Sequence, residues 1–463
     1  MMGSGCSQNE DLRRRGRVRD RLRTGVVALL LVTSVTSSYA STEIHQGDSF
    51  EGAVESLAPG DTLIVHQGVY ADNGRISITV KGTVNSPVVI KGAESETPPL
   101  ITRSASAAIQ NTINIEGAAY LTIKGLEIAG NGGDGINLNG TPSYITLEDL
   151  HIHDVDVGVN FRSSMDHITV RRNHIHRTGI DGGTGEGMYV GCNNATCVVR
   201  DSLIENNWIH DTLPGTTQGD GIEVKVGSHS NTIRDNIIYN MTYPGIFIYG
   251  GGAGINTVEG NVIWNCLEGI YAVADAIVRN NIVFNSGTGL SLYGHAQVSQ
   301  MKNVTAVNNT LYNNTDGVYV RWGSTTNMIL ANNAIYSPGK TAINSSSGIQ
   351  GTVRSNYVEG RMSGEQIDNL KFFSGGSYSA AFVNASGMNF WPKPSSPLVS
   401  VANASFIPGL DFNGTTRTSP YDVGAYEANG LTANPGWKIA PGFKAIGSQP
   451  ILPPAAPTNL QVQ

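Results

Sequence analysis

The sequence predicts an all-β fold, a right-handed parallel β-helix (solenoid) with a short N-terminal capping helix. The first observation behind this is composition: of 463 residues, 56 are Gly and 41 are Asn, and only 14% are charged. Gly and Asn tolerate tight turns and left-handed backbone conformations, so their excess indicates many short strands joined by sharp turns. Helix-rich and coiled-coil folds are excluded by this composition.

The second observation is a repeat in which an Asn is followed by a short apolar segment. It recurs at intervals of 20 to 34 residues between about residues 119 and 358. Such a period, with length variation confined to loops, is typical of a parallel β-helix, and we expect about nine to ten turns over residues 60–360. The repeat residues are Asn173, Asn207, Asn236, Asn261, Asn281, Asn309 and Asn333.

The third observation is a charge that alternates in sign from turn to turn, two residues before each repeat Asn. Stacked turns bring equivalent residues to about 4.8 Å, where side chains interact. Like charges at that spacing would repel, so the alternation predicts a column of cross-strand ion pairs. The column is Arg171, Glu205, Arg234, Glu259 and Arg279.

An aromatic column lies three residues after each repeat Asn, and an amide ladder is expected beside it. His153, His176 and His210 begin this column, and a metal site is one interpretation of them. We favour ring stacking, because the later members are aromatic. The later aromatic members are Tyr239, Trp264, Phe284, Tyr312 and Tyr336, and the ladder residues are Asn240, Asn265, Asn285 and Asn313.

The first 40 residues predict a signal peptide. Seven Arg residues precede an apolar run from Val26 to Val32, which is too short to span a bilayer, and then a small-residue site at Ala40. Removing this segment leaves 23 positive and 34 negative charges, a net charge of −11. Bulk charge therefore excludes nucleic-acid binding. We expect a secreted, periplasmic or cell-surface protein with no integral membrane segment after cleavage.

The rest of the chain divides into a cap, repeats and a tail. Asp48 and Glu51 form a capping-box pair for a helix with apolar Phe50 and Val54, which we expect to close the end of the solenoid core. The predicted parts are the signal peptide (1–40), the N-terminal cap and first turns (41–118), the β-helix repeats (119–360), the C-terminal turns and cap (361–430), and a tail with a Pro-rich linker toward a possible fibronectin-type module (431–463).

Cys192 and Cys197 bracket a short polar loop. In an exported protein this spacing favours a disulfide bond. A zinc site would need more ligands than these two cysteines.

Two segments and the repeat between them carry a resemblance to a known family. They are Leu57-Ala58-Pro59-Gly60-Asp61-Thr62-Leu63-Ile64-Val65 with Gly68-Val69-Tyr70, the Asn-rich repeat, and the closing Asp422-Val423-Gly424-Ala425-Tyr426-Glu427. The chain resembles bacterial secreted right-handed parallel β-helix proteins, the superfamily of pectate lyases, chondroitinase B and alginate lyases. This resemblance is specific for the fold. It is weak for the substrate, because one scaffold hosts lyases, hydrolases, epimerases and adhesins.

Each turn also contains an acidic or polar residue, a Gly and an alternating strand, as in the segment from Asp220 to Lys225. Period two sends Ile222 and Val224 to the core and Glu223 and Lys225 outward. Stacking these strands predicts one extended outward face, with the long loops at about 180–184 and 211–219 beside it. Its columns are Asn137, Asn160, Tyr189, Glu223, Phe247, Tyr271, Ser291 and Tyr319, and Asn139, Arg162, Gly191, Lys225, Tyr249, Val273, Tyr293 and Arg321.

This face is the candidate site. Glu186, Asp220 and Glu223 supply the oxygen ligands that Ca²⁺ prefers. In the lyases that the sequence resembles, a strand Lys or Arg is the base and a calcium ion or a cationic side chain neutralises the substrate carboxylate, which implies Lys225 as base. Tyr249, one turn later, is expected to protonate the leaving group. The expected substrate-binding residues are Asn160, Arg162, Tyr189, Tyr271, Tyr293 and Arg321.

The predicted function is a polysaccharide lyase that cleaves acidic, uronate-containing polysaccharide by β-elimination with calcium. Glu223 beside Lys225 favours the ammonium form and opposes a base role, which a bound calcium ion would reverse. Without metal, Tyr249 or His229 is the better base and Lys225 the carboxylate clamp. The alternatives are a glycoside hydrolase using two of the three carboxylates, a C5 epimerase, and a non-catalytic glycan-binding surface protein.

Overall fold

The computed structural model describes residues 40–431, apart from 105, 324 and 365–371, together with residues 433, 436, 437 and 439–444. The chain coils into a parallel β-helix in which most turns contribute three short strands. Corresponding strands of successive turns pair in parallel and form three stacked faces, which we call faces 1, 2 and 3. Side chains that point inward from all three faces form one continuous apolar core.

Face 1 precedes the repeat Asn in each turn. Within the described residues it is a 14-stranded sheet. Its strands are Ser41–Ile44, Thr62–Val65, Val88–Gly92, Ala119–Lys124, Ser143–Glu148, Met165–Arg171, Val199–Arg200, Leu203–Glu205, Thr232–Arg234, Asn256–Glu259, Ala276–Arg279, Lys302–Val307, Thr326–Ala331 and Thr352–Arg354.

Face 2 follows the repeat Asn. Its strands are Val69–Asp72, Leu100–Arg103, Glu127–Ala129, His151–Val155, His174–Thr178, Trp208–Thr212, Ile237–Tyr239, Val262–Trp264, Ile282–Phe284, Thr310–Tyr312, Ala334–Ile349, Asn356–Gly364 and Phe372–Ser374. The strands Ala334–Ile349 and Asn356–Gly364 are long enough to continue into face 3.

Face 3 completes each turn. Its strands are Ser77–Ile78, Ile113–Glu116, Ile136–Asn139, Val159–Phe161, Met188–Val190, Ile222–Val224, Ile246–Ile248, Glu268–Ala272, Thr288–Leu292 and Asp316–Trp322.

The corner between faces 1 and 2 explains the repeat. From Ala119–Lys124 through Thr326–Ala331, two residues separate each face 1 strand from the next face 2 strand. The first of the two has a left-handed backbone, for example φ +57° at Asn206. The second is the repeat Asn in the later turns, and its buried amide bonds to the next: both Nδ2 and the backbone N–H of Asn236 donate to Asn261 Oδ1 at 3.0 Å. A ladder of satisfied amides thus lines this corner.

The predicted register is confirmed. Arg234 lies directly opposite Glu205 and Glu259 in adjacent strands. The opposite charges form ion pairs. Nη2 of Arg234 lies 2.7 Å from Glu205 Oε2, and Nε of Arg279 lies 2.7 Å from Glu259 Oε2. The alternation of sign is therefore a ladder of neighbouring ion pairs.

The aromatic column is confirmed as a stack. The rings of His176 and His210 lie 5.1 Å apart, and those of His210 and Tyr239 4.8 Å apart, in nearly parallel planes. Beside the stack, Asn265 Nδ2 donates to Asn240 Oδ1 at 2.6 Å, which is a rung of the predicted amide ladder.

The solenoid has more turns than predicted. The face 1 strands between Thr62 and Arg354 form twelve turns in the described chain, with Val199–Arg200 and Leu203–Glu205 in the same turn, against the nine to ten turns expected. The estimate was low because the early turns lack the repeat Asn: Leu126 and Leu150 occupy the corresponding corner position.

The N-terminal helix forms at Phe50–Glu55, but its cap differs from the prediction. Ser49 is the N-cap, and its Oγ accepts the backbone N–H of Gly52 at 3.0 Å. The carboxylate of Asp48 instead accepts the N–H of His45. Phe50 is fully buried in the core of the solenoid, as the capping role requires.

The C-terminal part packs against face 2. It contains the helix Tyr378–Ala381, the antiparallel strands Phe382–Asn384 and Asn389–Pro392, and 3₁₀ turns at Ala385–Gly387 and Ala404–Phe406. Its aromatic rings contact the aromatic column, with Phe390 5.3 Å from Phe284 and 5.5 Å from Tyr312. The closing motif is fixed by buried Arg417, which donates to Glu427 Oε2 at 3.2 Å.

The cysteines behave as predicted. Cys192 and Cys197 form a disulfide around the 3₁₀ turn Asn193–Ala195. Cys266 is a free, buried thiol, and its burial raises its pKa to about 12.

Two predicted segments lie outside the described residues: positions 1–39 of the signal peptide and the Pro-rich end of the tail. No helix in the described part of the chain has the length and apolar character needed to cross a bilayer. The division into five parts stays a prediction.

Candidate active site

Face 3 brings the predicted site columns into register. Glu223 lies opposite Tyr189 in the preceding strand and Phe247 in the following one. A Gly precedes these strands because the turns approach closely there: a Cβ on Gly221 would overlap the carbonyl oxygen of Gly245 in the next turn. The Gly of the motif therefore allows successive turns to stack closely. The polar residues around it are not needed for this stacking and are available for binding or catalysis.

Three carboxylates converge on this face. Glu186, Asp220 and Glu223 each place an oxygen within 4.8 Å of the others. Their exposed fractions are 0%, 2% and 3%. Glu186 Oε1, Asp220 Oδ1 and Glu223 Oε2 receive no hydrogen bond from any residue that the structure describes. Buried carboxylate oxygens without donors are costly, so the cluster indicates a site for a ligand.

Lys225 lies against this cluster. Its Nζ is 2.6 Å from Glu223 Oε1, and the hydroxyl of Tyr249 donates to the same oxygen at 2.9 Å. The Nζ atom also lies 4.6 Å from the ring centroid of Tyr189 and 4.8 Å from that of Tyr249. Because Lys225 is only 3% exposed, these contacts fix the position of its amine.

Burial and mutual repulsion keep protons on the cluster. Burial, reinforced by the charge of Glu223, raises the pKa of Glu186 to about 7. The same causes raise the pKa of Asp220 well above its ordinary range. Burial and Glu223 also raise the pKa of Tyr249, whose hydroxyl stays protonated at neutral pH. A cation that binds here would displace protons from the carboxylates.

His295 is a site residue that the sequence analysis missed. Its ring packs edge-on against Tyr249, with centroids 4.7 Å apart. Burial and the charge of Lys225 lower its pKa. The loop that carries it is anchored by the hydroxyl of Tyr271, which donates to the carbonyl oxygen of Gly294 at 3.0 Å. The insertion was visible in the repeat spacing, but nothing local indicated that it folds back toward Tyr249.

Two loops meet across the turns that carry Lys225. Residues 293–300 reach back to the disulfide loop 192–197, and we call these two loops the bridge. Gln297 Oε1 accepts the backbone N–H of Asn194 at 3.1 Å, and Gln297 Nε2 donates to Asn193 Oδ1 at 3.4 Å. The bridge contact spans three intervening turns.

Two predicted substrate-binding residues flank the cluster on the side of the preceding turns. Asn160 Nδ2 donates to Asp134 Oδ2 at 2.9 Å. Arg162 is exposed, and its Cζ lies 5.9 Å from the ring centroid of Tyr189. Arg162 therefore presents a cation to the solvent beside the carboxylates.

The other predicted residues lie on the following turns. Tyr271 is 3% exposed, and its ring is stacked between Phe247 and Tyr293 at 4.3 Å from each. Both faces of the ring are occupied, so Tyr271 has no free face for a sugar, and its substrate-binding role stays a prediction. Tyr293 is half-buried, and Arg321 lies 4.3 Å above the ring of Tyr319. His229, the alternative base, hydrogen-bonds to Ser230 instead of joining the cluster.

The sequence was compared with known families. It matches the family described as right handed beta helix region over residues 66–255 and 203–335, which is more than half of the chain. The chain belongs to the right-handed β-helix family.

A curated relative is pectate lyase L of Paenibacillus polymyxa (strain SC2). It is 24% identical over 331 residues, which cover 61% of this chain and 67% of the relative. Among solved structures, an alginate lyase from Paenibacillus sp. str. FPU-7 matches at 20% identity and a TM-score of 0.46, covering 62% of this chain and 97% of that one. The complex of XylC with xylose matches at 10% identity and a TM-score of 0.50, covering 84% and 98%. At 10% identity, the match to XylC shows a shared fold alone.

The carboxylate oxygens of this β-helix protein form a ligand set that fits a calcium ion. Glu186, Asp220 and Glu223 offer three oxygens that lack donors among the described residues. Ionisation of all three carboxylates against one lysine would leave an excess negative charge in a buried site, which a dication would balance as it displaces the protons. Carboxylate oxygens without imidazole or thiolate ligands favour calcium over zinc.

Proposed function

We propose that this β-helix protein is a polysaccharide lyase that cleaves uronate-containing polysaccharide by calcium-assisted β-elimination. The observation that carries the proposal is the buried Lys225 beside three carboxylates, each with an oxygen that has no donor among the described residues, on a face flanked by aromatic and cationic side chains. The similarity to a relative named pectate lyase supports the same class of reaction.

β-Elimination needs a base, a proton donor and a means of stabilising the carbanion-like transition state. Lys225 Nζ, as the neutral amine, removes the proton from C5 of the uronate. The electron pair of the C5–H bond forms the C4–C5 double bond, and the bond from C4 to the glycosidic oxygen breaks. The leaving oxygen then receives a proton from the enzyme.

Glu186, Asp220 and Glu223 would hold the calcium ion, which when bound supplies positive charge to neutralise the carboxylate of the substrate. With the ion bound, the negative charge of Glu223 would be partly neutralised by calcium. Glu223 would then stabilise the ammonium form of Lys225 less strongly. The base role of Lys225 therefore depends on the occupancy of the carboxylate cluster.

Tyr249 is the proposed proton donor. Its raised pKa keeps the hydroxyl protonated at neutral pH, which is the state that a donor requires. Its hydroxyl and Lys225 Nζ share one partner, Glu223 Oε1, so the two groups lie on the same side of the cluster. Tyr189, whose ring contacts the other side of Lys225, is the second tyrosine to test.

The flanking residues would bind the sugars next to the cleaved bond. Arg162 and Arg321 are cations for neighbouring uronate carboxylates, and half-buried Tyr293 offers ring surface on the same face. Tyr189 is buried, and it would position Lys225 and Arg162, which lie against its ring. Asn160, which is bonded to Asp134, has an Oδ1 without a donor among the described residues. Because Lys225 is almost completely covered, substrate access requires the bridge to move.

The deciding experiment incubates the protein with pectate, alginate and glycosaminoglycans while the ultraviolet absorbance of the unsaturated product is followed. We expect absorbance to rise on one uronate polymer with calcium and to stop with a chelator. Lys225→Ala should give no product. Lys302→Ala is the matched control, because that lysine is a half-exposed cation of face 1. If no uronate polymer is cleaved by the parent protein, the proposal is wrong and the glycan-binding interpretation is favoured.

A glycoside hydrolase is the second candidate, and one observation favours it. Glu186, with a pKa of about 7, has the protonation state of a general acid at neutral pH. Hydrolysis would release new reducing ends without the absorbance of an unsaturated product. A C5 epimerase would exchange the C5 proton with solvent and release no new ends.

We further propose that the protein is exported through residues 1–40 and acts outside the cytoplasm on acidic polysaccharide. N-terminal sequencing of the protein recovered from the medium or the periplasm is expected to begin at Ser41. A start at Met1 in the recovered protein would contradict this.

A further inference from the structure

Five histidines form a compact array on face 2, away from the carboxylate cluster on face 3. His151 lies opposite His174 in the next strand, and His153 lies opposite His176, which in turn lies opposite His210. All five side chains point outward from consecutive turns. We call this set of five residues the histidine array.

The imidazole rings of the histidine array contact one another edge to edge as well as face to face. His151 Nε2 lies 2.9 Å from His176 Nε2, and His174 Nε2 lies 2.8 Å from His210 Nε2. Ring nitrogens of His151, His174 and His176 all lie within 4.8 Å of one another. Nitrogens that share a tetrahedral zinc ion with bonds of about 2.0–2.1 Å are about 3.3 Å apart, so small ring movements would suffice.

Stacking alone does not account for histidine at these positions. The same diagonal edge contact continues beyond the histidines, where the indole Nε1 of Trp208 donates to the hydroxyl of Tyr239 at 3.2 Å, but an indole nitrogen can only donate. A histidine ring places at this edge nitrogen atoms that can either donate or accept a hydrogen bond. In each close Nε2 pair one nitrogen must carry a proton, and a metal ion would replace that proton.

A carboxylate holds one ring of the array from behind. Asp211 Oδ2 lies 2.8 Å from Nδ1 of His210, an arrangement that fixes the ring and leaves Nε2 as the inner nitrogen. A carboxylate behind a histidine is a common companion of metal ligands.

We propose that the histidine array binds one transition-metal dication of the zinc class through His151, His174 and His176. Three imidazole nitrogens without a carboxylate among them select Zn²⁺, Ni²⁺ or Cu²⁺ and disfavour Ca²⁺. All three residues are half-buried, so the metal and a further ligand can reach them from solvent. This site is independent of the proposed lyase chemistry and differs from the carboxylate cluster in ligand type.

The test titrates Zn²⁺ into the whole protein by calorimetry with calcium present in excess, and repeats the titration with Co²⁺ while its visible absorption is followed. We expect one Zn²⁺ per chain and the intense absorption of four-coordinate Co²⁺. His174→Phe keeps a ring in the stack and removes the nitrogens, and it should weaken Zn²⁺ binding at least about tenfold. His167→Phe is the matched control, because that histidine stacks on Tyr144 outside the array.

Three results would overturn the proposal. They are no Zn²⁺ binding by the parent protein, equal affinity in the parent and His174→Phe, and loss of Zn²⁺ binding in Glu223→Gln instead, which would place the ion at the carboxylates. If His174→Phe is misfolded by circular dichroism, His151→Gln replaces it, because that side chain is 38% exposed and its loss leaves the core intact. Retained affinity in that variant would likewise reject His151 as a ligand and overturn the proposed three-histidine site.

Discussion

Replacing Glu186 by Gln should change the stability of the protein in opposite directions with and without calcium. In calcium-free solution the folded protein holds a proton on Glu186 up to about pH 7, whereas the ordinary pKa of the group is 4.5. Between these values the folded state binds more protons than the unfolded state. The unfolding free energy is therefore highest below pH 4.5 and falls as the pH rises through about 7.

The size of this fall follows from the shift. A rise of about 2.5 pKa units at about 1.4 kcal/mol per unit corresponds to about 3 kcal/mol. Glu186→Gln has no titrating group at this position, so it should be more stable than the parent by up to about 3 kcal/mol at pH 8 without calcium. With calcium the order should reverse, because the parent keeps the full ligand set and gains binding free energy.

The assay is urea unfolding followed by circular dichroism at pH 5 and pH 8, with a chelator or with calcium. Glu94→Gln is the control, since Glu94 lies on the surface with an 81% exposed side chain. Equal unfolding free energies of the parent at pH 5 and pH 8 in chelator would refute the reasoning. Equal stabilisation of the parent and Glu186→Gln by calcium would refute the ligand role of Glu186.

Further predictions concern the base, a metal ligand, the amide ladder and the bridge. Lys225→Ala should lower the rate of elimination by about 10²–10⁴-fold, so that no product is detected in the absorbance assay, and destabilise the protein by about 3–5 kcal/mol, because it leaves Glu223 buried without its cationic partner; unchanged activity would show that this face is not catalytic. Glu223→Gln keeps the base, so added calcium should partly restore its activity, and an effect independent of calcium would argue against a ligand role. Asn261→Leu removes the acceptor for two N–H groups of Asn236 and should cost about 2–4 kcal/mol in urea unfolding, against no change if the ladder were dispensable. Gln297→Ala should speed hydrogen exchange in the bridge without changing global unfolding, and unchanged exchange would show that this side chain does not hold the bridge.

The fold was predictable because the register of its stacked turns is determined by a few residues that recur within each turn. Each turn repeats the same few residues, so the position of Arg234 between Glu205 and Glu259 followed from counting from the repeat Asn. The same counting placed Lys225 and Glu223 on one face. Turns without the Asn, such as the one with Leu126 at the corner, were missed for the same reason.

The burial of the site was not predictable from the same pattern. Period two correctly pointed Lys225 away from the core, and an outward side chain on a solenoid is ordinarily exposed to solvent. The structure corrects this expectation, because Lys225 is 3% exposed and paired with Glu223. The bridge depends on a contact between Asn194 and Gln297, which are 103 residues apart, and strand periodicity carries no information about such contacts.

The helix cap was wrong for a local physical reason. Ser49 and Asp48 are both good N-cap residues, and only the observed hydrogen bond to Gly52 selects Ser49. The covering of Tyr271 was not foreseen, because aromatic rings in adjacent turns of one column are close enough to stack on each other. The grouping of the three carboxylates was predictable because they lie on two successive turns, next to the Gly positions where those turns approach closely.

The two-residue corner between faces 1 and 2 makes this solenoid a suitable scaffold for loop grafting. That corner has one length from Ala119–Lys124 to Thr326–Ala331, whereas the link from face 2 to face 3 varies from nine residues after Trp208–Thr212 to three after Ile282–Phe284. Added residues at the variable corners leave the stacking of the turns unchanged, because the amide ladder holds the register elsewhere. Diversity in the recognition loops is thereby uncoupled from the folding of the coil, and libraries of inserted segments belong at those corners.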